Sequence, residues 1–269
     1  MTAGWVAIAG ITGLAGLAIG WRFAVRRNRT ADLQKTNAAN EQVIEISTLA
    51  GGLAHEIRNP LSTLKVNLQL LGEDWNDESI PPAELRRRSL SRLATLQAEA
   101  TRLHHIVDEF LRLVGRQELR LVTTDINEVI RRFVEFYEPQ AVANKVVIRT
   151  ALSARPLPCR IDVDLCKQVL LNVCINAQEA MPKGGELTIR TREDAGRRAC
   201  IEIADTGTGL DPQAAERIFE PYYSTKPGGT GLGLALTRRI VRAHGGTIQA
   251  AGRPGEGTTF TITLPLAGR

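Results

Sequence analysis

Cysteine is scarce in this chain and follows no recognisable spacing. The four cysteines, Cys159, Cys166, Cys174 and Cys200, form no CxxC pair, and three of them lie within apolar runs. Cysteines placed in this way indicate neither a zinc site nor a disulfide framework. We therefore expect the folded part of the chain to occupy a reducing compartment, the cytosol.

Charged side chains are absent from the first 21 residues. Trp5 and Trp21 bracket this apolar stretch, as interfacial aromatics do, and lie roughly 24 Å apart on a helix. A cleavable signal peptide carries its positive charge before the apolar run, whereas here the charge follows it. The positive-inside rule then places the remaining chain in the cytoplasm. The basic residues concerned are Arg22, Arg26, Arg27 and Arg29.

This pattern predicts a single-pass transmembrane anchor over residues 1–25 and a juxtamembrane helical linker over 26–42. Gly16 and Gly20 form a GxxxG spacing that can pack two such helices together. The net charge of +5 also raises the question of nucleic acid. We expect no nucleic-acid partner, because the basic residues cluster after the anchor and at Arg86–Arg92 and do not line an aromatic surface.

Two long stretches have apolar residues spaced by threes and fours, as on a helix packed against other helices. An acidic and proline-containing segment, Gly72–Pro82, separates them and predicts a helical hairpin within residues 43–117. A hairpin alone buries such seams poorly, so we expect a homodimer that forms a four-helix bundle. The seams are Val43, Ile46, Ala50, Leu53, Ile57, Leu61, Leu64, Leu68 and Leu71, then Leu93, Leu96, Ala100, Leu103, Val107, Phe110 and Val114.

The pattern changes after Arg116, where shorter helical and strand-like runs follow one another. Helices are predicted over 125–141, 162–180 and 231–243, and strands over 146–152, 186–191, 198–204, 247–251 and 258–264. Helices grouped between strands that are joined by hairpin turns favour an α+β sandwich with the helices on one face of the sheet. The predicted domain covers residues 120–267.

Three amides follow one another along one face of the predicted second helix of this domain. Gln168, Asn172 and Asn176 are spaced four apart among leucines and valines, although asparagine is a poor helix former. An amide oxygen is a neutral ligand that suits Mg²⁺ already carrying anionic phosphates. The alternative is a helix cap or a buried hydrogen bond.

Two glycine-rich segments follow. Asp205 ends a strand-like run and opens the turn DTGTG, in which Gly207 and Gly209 permit close approach of the backbone. Taken alone, this turn is weak evidence for a binding site, since Asp and Gly are common in ordinary turns.

The segment FEPYYSTKPGGTGLGL then runs into a helix, so that its glycines can present free backbone amides to phosphate. Lys226 within it would supply a mobile positive charge. The GK[ST] ending of a P-loop is missing, and the position in the chain does not fit a Rossmann fingerprint.

In this order the segments resemble the Bergerat-type ATP-binding domain that is shared by histidine kinases, type II topoisomerases, a heat-shock chaperone and mismatch-repair ATPases. The resemblance implies binding of ATP with Mg²⁺, with Asn172 and Asn176 toward the metal and Asp205 toward adenine. Glu179 departs from the pattern, because many histidine kinases carry there a lysine that reaches the phosphates. The nucleotide-binding residues implied are Asn172, Asn176, Asp205, Gly207, Gly209, Lys226, Gly229, Thr230, Gly231, Leu232 and Gly233.

His55 lies in GGLAHEIRNPLSTL on the first long helix, and this segment resembles the H-box of histidine kinases. A neutral imidazole is a competent nucleophile near neutral pH. Glu56 can accept the ring proton, and Asn59, four residues after His55, can orient a water against a phosphorylated receiver aspartate. His104, His105 and His244 are predicted to be solvated surface residues.

The combined resemblance implies a bacterial sensor histidine kinase in the cytoplasmic membrane, with its kinase portion in the cytoplasm. It would phosphorylate His55 with ATP and pass the phosphoryl group to the receiver domain of a response regulator. An ATP-driven clamp or chaperone is the alternative, although such clamps need no HEIRNP hairpin. A scaffold that mainly dephosphorylates its receiver stays open through the HExxN spacing.

Overall fold

The structure is a computed structural model, and it describes residues 49–115, 118–226 and 229–268. The chain divides into two units, Met1–Gly52 and Leu53–Arg269. The predicted transmembrane anchor and juxtamembrane linker lie outside the described residues. Within the described ranges, no helix is both long and apolar enough to span a membrane.

The predicted helical hairpin is present. Residues 49–76 are helical (α1), the first four of them in the first unit, and α2 runs Pro82–Val114. Pro82 is the first residue of α2, where a missing backbone N–H costs nothing. The chain reverses direction within residues 77–81.

The prediction that the first helix ends at Gly72 is wrong, since α1 continues four residues further. Contacts across the hairpin hold this last turn. Trp75 Nε1 donates to Ser89 Oγ at 3.1 Å, and the buried Asp74 carboxylate pairs with Arg92 at 2.8 Å. These contacts outweigh the helix penalty of a glycine, which is about 1 kcal/mol.

The remaining chain forms a two-layer domain with a five-stranded sheet in the order β2-β4-β5-β7-β6. Strands β2 and β4 pair in parallel and the other neighbours are antiparallel. A separate two-stranded sheet, β1 with β3, was not predicted from the sequence. The strands are β1 Val122–Asp125, β2 Val146–Ala151, β3 Pro158–Ile161, β4 Gly185–Glu193, β5 Arg198–Asp205, β6 Thr247–Arg253 and β7 Gly257–Pro265.

Three helices pack beside this sheet, which confirms the predicted sandwich: α3 Ile126–Ala143, α4 Val163–Ala180 and α5 Gly233–Ala243. Asp125 and Asp162 are the N-caps of α3 and α4, and each side chain accepts hydrogen bonds from backbone N–H groups of the first turn. Both aspartates stand where the sequence pattern places the helix starts.

The core lies between α4 and the central strands. The buried side chains of α4 recur at helical spacing and meet buried residues of β5 and β7. This packing leaves the polar edge of α4 at one end of the domain. The buried residues of α4 are Cys166, Val169, Leu170, Val173, Cys174 and Ala177.

The prediction that His244 is a solvated surface residue is wrong, since the side chain is buried at the C-terminus of α5. Its Nδ1 lies 2.8 Å from the Ile240 carbonyl oxygen, and its Nε2 accepts from the Asp162 N–H at 2.9 Å. A ring that donates from Nδ1 and accepts at Nε2 is neutral. It therefore ties the end of α5 to the start of α4.

Candidate active site

A cavity of about 670 Å³ opens where α4, the loop after β5 and the segment before α5 meet. Of the eleven residues predicted to bind nucleotide, nine lie in its wall. Gly207 and Leu232 stand just behind the wall: the Gly207 N–H donates to Asp205 at 2.8 Å, and Leu232 is fully buried. Pro227 and Gly228 lie outside the described residues. The nine are Asn172, Asn176, Asp205, Gly209, Lys226, Gly229, Thr230, Gly231 and Gly233.

The two asparagines of α4 have different surroundings. Asn172 donates from Nδ2 to the Gly233 carbonyl at 3.0 Å and to Thr237 Oγ1 at 3.3 Å. It therefore fixes the start of α5 against α4. Asn176 donates from Nδ2 to the Asn172 carbonyl at 2.8 Å. Its Oδ1 faces the cavity, where it accepts from Lys226 Nζ at 3.2 Å, and an amide oxygen of this kind is a hard ligand that suits Mg²⁺.

Asp205 is buried at the end of β5, where one carboxylate oxygen accepts two backbone hydrogen bonds. Gly207 N–H donates to Oδ1 at 2.8 Å and Thr258 N–H donates to the same oxygen at 3.2 Å. Burial raises the pKa of this carboxyl, and the two hydrogen bonds oppose the shift. Such a buried acceptor in a cavity wall can receive an amino group from a flat heterocycle.

At two positions in the loops around the cavity, the backbone conformation and the close approach of other backbone atoms require glycine. Gly209 has φ +77°, and a Cβ there would overlap the Arg253 carbonyl oxygen. Gly231 has φ +65° and packs against the backbone of Tyr222, whose N–H donates to the Gly231 carbonyl at 3.2 Å. A side chain at either position would push the loop away from the cavity.

The second helix of the hairpin also reaches this cavity, a contact that the sequence pattern does not predict. His105 and Glu109 of α2 line its wall. Glu109 accepts a hydrogen bond from Thr230 Oγ1 at 2.8 Å, and burial raises the pKa of its carboxyl. Nearby, Arg239 of α5 donates to the Gly115 carbonyl at 2.6 Å. These contacts attach the two-layer domain to the end of α2.

His105 is exposed, as predicted, but its place in the cavity wall was missed. His104 is exposed and lies 3.4 Å from Asp108. The spacing of four from His105 to Glu109 was the available signal, since it puts both side chains on one face of α2. This spacing does not indicate which part of the protein that face of α2 contacts.

The residues of the predicted phosphoacceptor segment lie on α1. His55 and Asn59 are exposed, whereas Glu56 is partly buried and lies 4.0 Å from Arg102 of α2. Burial raises the pKa of Tyr222, and the charge of Glu56 adds to this shift. The loop before α5 therefore lies within electrostatic range of α1. In the described part of the chain, the cavity wall does not include His55.

Two family models match the chain. The "His Kinase A (phospho-acceptor) domain" matches residues 45–118, and the "Histidine kinase-, DNA gyrase B-, and HSP90-like ATPase" matches residues 161–268. Together they match about two thirds of the chain.

Among curated proteins, the chain is similar to sensor histidine kinase ZraS of Klebsiella oxytoca, with 38% identity over 93% of this chain and 52% of that protein. It is 31% identical to the signal transduction histidine-protein kinase AtoS of Escherichia coli K12, over 87% of this chain and 37% of that protein. The chain thus spans about half or less of the length of these relatives.

Two solved structures resemble this one over most of the chain. Full-length ShkA in complex with AMPPNP has a TM-score of 0.57 and 27% identity, covering 83% of this chain and 46% of ShkA. Histidine kinase ThkA in complex with the response regulator protein TrrA has a TM-score of 0.68, covering 85% of this chain and 64% of that one. At 24% identity, the second likeness concerns the fold alone.

Replacing Asp205 with Asn tests the role of this carboxylate. The amide oxygen can still accept from Gly207 and Thr258, but its NH₂ group would oppose an amino group of adenine. We expect the affinity for ADP, measured by titration calorimetry, to fall about 10- to 100-fold, as for loss of a charged hydrogen bond. Unchanged affinity would show that Asp205 does not bind adenine.

The same variant should be more stable than the wild type at pH 7, with a Tm higher by on the order of 2 °C. The folded pKa of Asp205 lies above the ordinary value of 3.8, so the stability that this carboxyl contributes is lost as pH rises through the folded pKa. The difference in Tm should therefore close below pH 3.8. Asp77→Asn is the control, because the pKa of exposed Asp77 is lowered by Ser79 and no rise in Tm is expected.

Proposed function

The chain belongs to the family of two-component sensor histidine kinases, and we propose that it phosphorylates its own His55 with ATP and transfers the phosphoryl group to an aspartate of a response regulator. The observation that carries this proposal is the convergence of Asn176, Asp205 and the glycine-rich loop on one cavity. The HEIRNPL segment on α1 supplies the acceptor.

In this proposal, Asp205 receives the amino group of adenine, while Gly229, Gly231 and Gly233 bring backbone amides near the phosphates. Asn176, with Asn172, faces the divalent ion. Mg²⁺ would neutralise charge on the phosphates, and positioning and charge neutralisation account for most of the catalysis in phosphoryl transfer.

The transfer step uses His55 as the nucleophile. A ring nitrogen attacks the γ-phosphorus, the bond to the oxygen that bridges the β- and γ-phosphates breaks, and ADP leaves. Glu56 accepts the proton from the other ring nitrogen. Glu56 is the next residue along α1, and its carboxylate lies 4.0 Å from Arg102 of α2.

A domain movement has to precede transfer within one chain, since the cavity faces Glu109 and His105 of α2. The hydrogen bond from Thr230 to Glu109 and the contact of Arg239 with Gly115 would have to open. Transfer to His55 of a second copy is the alternative route.

We further propose a homodimer formed through the hairpin. Six large apolar side chains of α1 and α2 are 45–57% exposed in the single chain, and a four-helix bundle would cover those that face the second hairpin. They are Leu61, Val66, Leu68, Leu90, Leu93 and Leu111. The receiver partner is proposed from family membership and is in keeping with ThkA, which was solved with a response regulator.

The proposed organisation is a membrane anchor over residues 1–25, a linker over 26–42, the dimerisation and phosphotransfer domain over 43–117 and the catalytic domain over 120–267. The anchor would hold the protein in the bacterial cytoplasmic membrane, with the catalytic part in the cytoplasm. The apolar, uncharged run of the first 21 residues and the arginines after it support this location.

The proposed kinase activity is tested by incubating the purified protein with γ-labelled ATP and Mg²⁺. We expect the wild type to take up label that is labile in acid and stable in alkali, and His55→Gln to take up none. His104→Gln, which replaces an exposed histidine of α2, is the control and should be labelled normally. Hydrolysis of ATP without any label on the protein would favour the clamp-like ATPase.

We also propose that Asn59 supports dephosphorylation of the receiver, since it is exposed one helical turn after His55. Asn59→Ala should slow the decay of a phosphorylated receiver by at least about tenfold, the size expected for a group that orients a reacting water. Labelling of His55 should change much less. Decay at the wild-type rate would remove this role from Asn59.

Breaking the contact between Glu109 and Thr230 should make the nucleotide domain easier to release. A hydrogen bond of this kind contributes about 0.5 to 1.5 kcal/mol, so Glu109→Ala is expected to raise the initial rate of His55 labelling by about 2- to 12-fold. Asp108→Ala is the control on the same helix turn. A wild-type rate in Glu109→Ala would mean that this contact does not limit domain movement.

A further inference from the structure

The ammonium group of Lys226 lies among three oxygen atoms in the cavity wall, beside the end of α4. Its Nζ donates to Glu179 Oε2 at 2.6 Å, to Asn176 Oδ1 at 3.2 Å and to the Asn176 carbonyl at 3.3 Å. All three oxygens belong to the last turns of α4. The Lys226 ammonium group thus occupies the position that these three oxygens of α4 surround.

The oxygens themselves are held independently of Lys226. The Asn176 amide is oriented by its bond from Nδ2 to the Asn172 carbonyl, so Oδ1 faces the cavity whether or not the lysine is present. Glu179 follows Asn176 by three residues and therefore lies on the same face of α4. Its side chain is about half exposed, and an ion pair at such a site contributes little stability.

This donor set matches the chemistry of a hard divalent cation better than that of a lysine. Mg²⁺ in nucleotide sites is held by one or two carboxylates together with the phosphates and water. Asn172 and Asn176 supply amides only, and the Asn172 NH₂ group is directed to Gly233 and Thr237. Glu179 is the carboxylate next to the Asn176 oxygen.

Resting on the proposed function, we propose that Glu179 is a carboxylate ligand of the divalent ion that accompanies ATP, and that Lys226 holds this position while the nucleotide is absent. At the position where many histidine kinases carry a lysine that reaches the phosphates, Glu179 would then contact the phosphates indirectly, through the divalent ion. Once displaced, Lys226 is free to turn toward the terminal phosphate. A cation therefore lies beside Glu179 in both states: the Lys226 ammonium group without nucleotide and the divalent ion with it.

The proposal predicts strong dependence of nucleotide binding on the metal. Without a divalent ion, the Glu179 carboxylate repels the phosphates, and with one it attracts the complex. The measured quantity is the ratio of the Kd for AMPPNP in EDTA to the Kd in excess Mg²⁺. It is obtained by titration calorimetry of the full chain and does not depend on turnover.

Glu179→Gln should lower this ratio about tenfold, in line with the loss of a group that supports a metal. Glu109→Gln is the matched control, because it removes the same charge from the same cavity at a position away from Asn176. We expect it to lower the ratio by less than about threefold. An equal fall in both variants would trace the effect to the charge of the cavity and overturn the proposal.

Lys226→Gln separates a metal ligand from a residue that merely anchors the lysine. If Glu179 binds the ion, Glu179→Gln lowers the ratio as much in the Lys226→Gln background as in the wild type. If the effect vanishes in that background, Glu179 acts only through Lys226, and the proposal fails. An unchanged ratio in Glu179→Gln also overturns it.

A wild type that binds no AMPPNP in either buffer would overturn the proposed kinase function, and this inference with it. Metal-dependent binding by the wild type together with a normal ratio in Glu179→Gln would overturn the inference alone.

Discussion

The hydrogen bonds from Asn172 to Gly233 and Thr237 are the constraint on which the site depends. They join the helix that carries Asn176 to the first turn of α5, where the glycine-rich loop ends. Together with the apolar packing of α4 against α5, they fix the separation between the amide oxygen of Asn176 and the backbone amides of the loop. The buried Thr237 completes the link by donating to the Gly233 carbonyl at 2.9 Å.

The cavity wall carries more carboxylates than lysines. Glu109, Glu179 and Asp205 line a cavity that is proposed to hold a polyphosphate, while Lys226 is the lysine in its wall. Burial raises the pKa of both Glu109 and Asp205, so the folded protein is less stable with these carboxylates ionised. Carboxyl groups whose pKa is shifted by burial are common in functional clefts.

Local sequence determined most of the secondary structure, because the signals lie within a few residues of each other. The N-caps Asp125 and Asp162 mark the starts of α3 and α4, and Pro82 marks the start of α2. Where contacts between distant residues determine the secondary structure, the local sequence did not predict it. Gly72 stays helical because Asp74 and Trp75 bind the opposite helix, and the small β1–β3 sheet pairs segments more than thirty residues apart.

For the site, the residues along the chain establish which chemical groups are present: the HEIRNPL segment, the asparagine row, DTGTG and the glycine-rich loop. The partners of these groups depend on how the chain folds. The tertiary structure placed Glu109 of α2 against Thr230, turned Lys226 onto Glu179 and Asn176, and buried His244 between two helix ends. Each of these contacts joins residues about 50 to 120 positions apart. Spacing along the chain carries no information about such pairs, because their separation is set by how helices pack on the sheet.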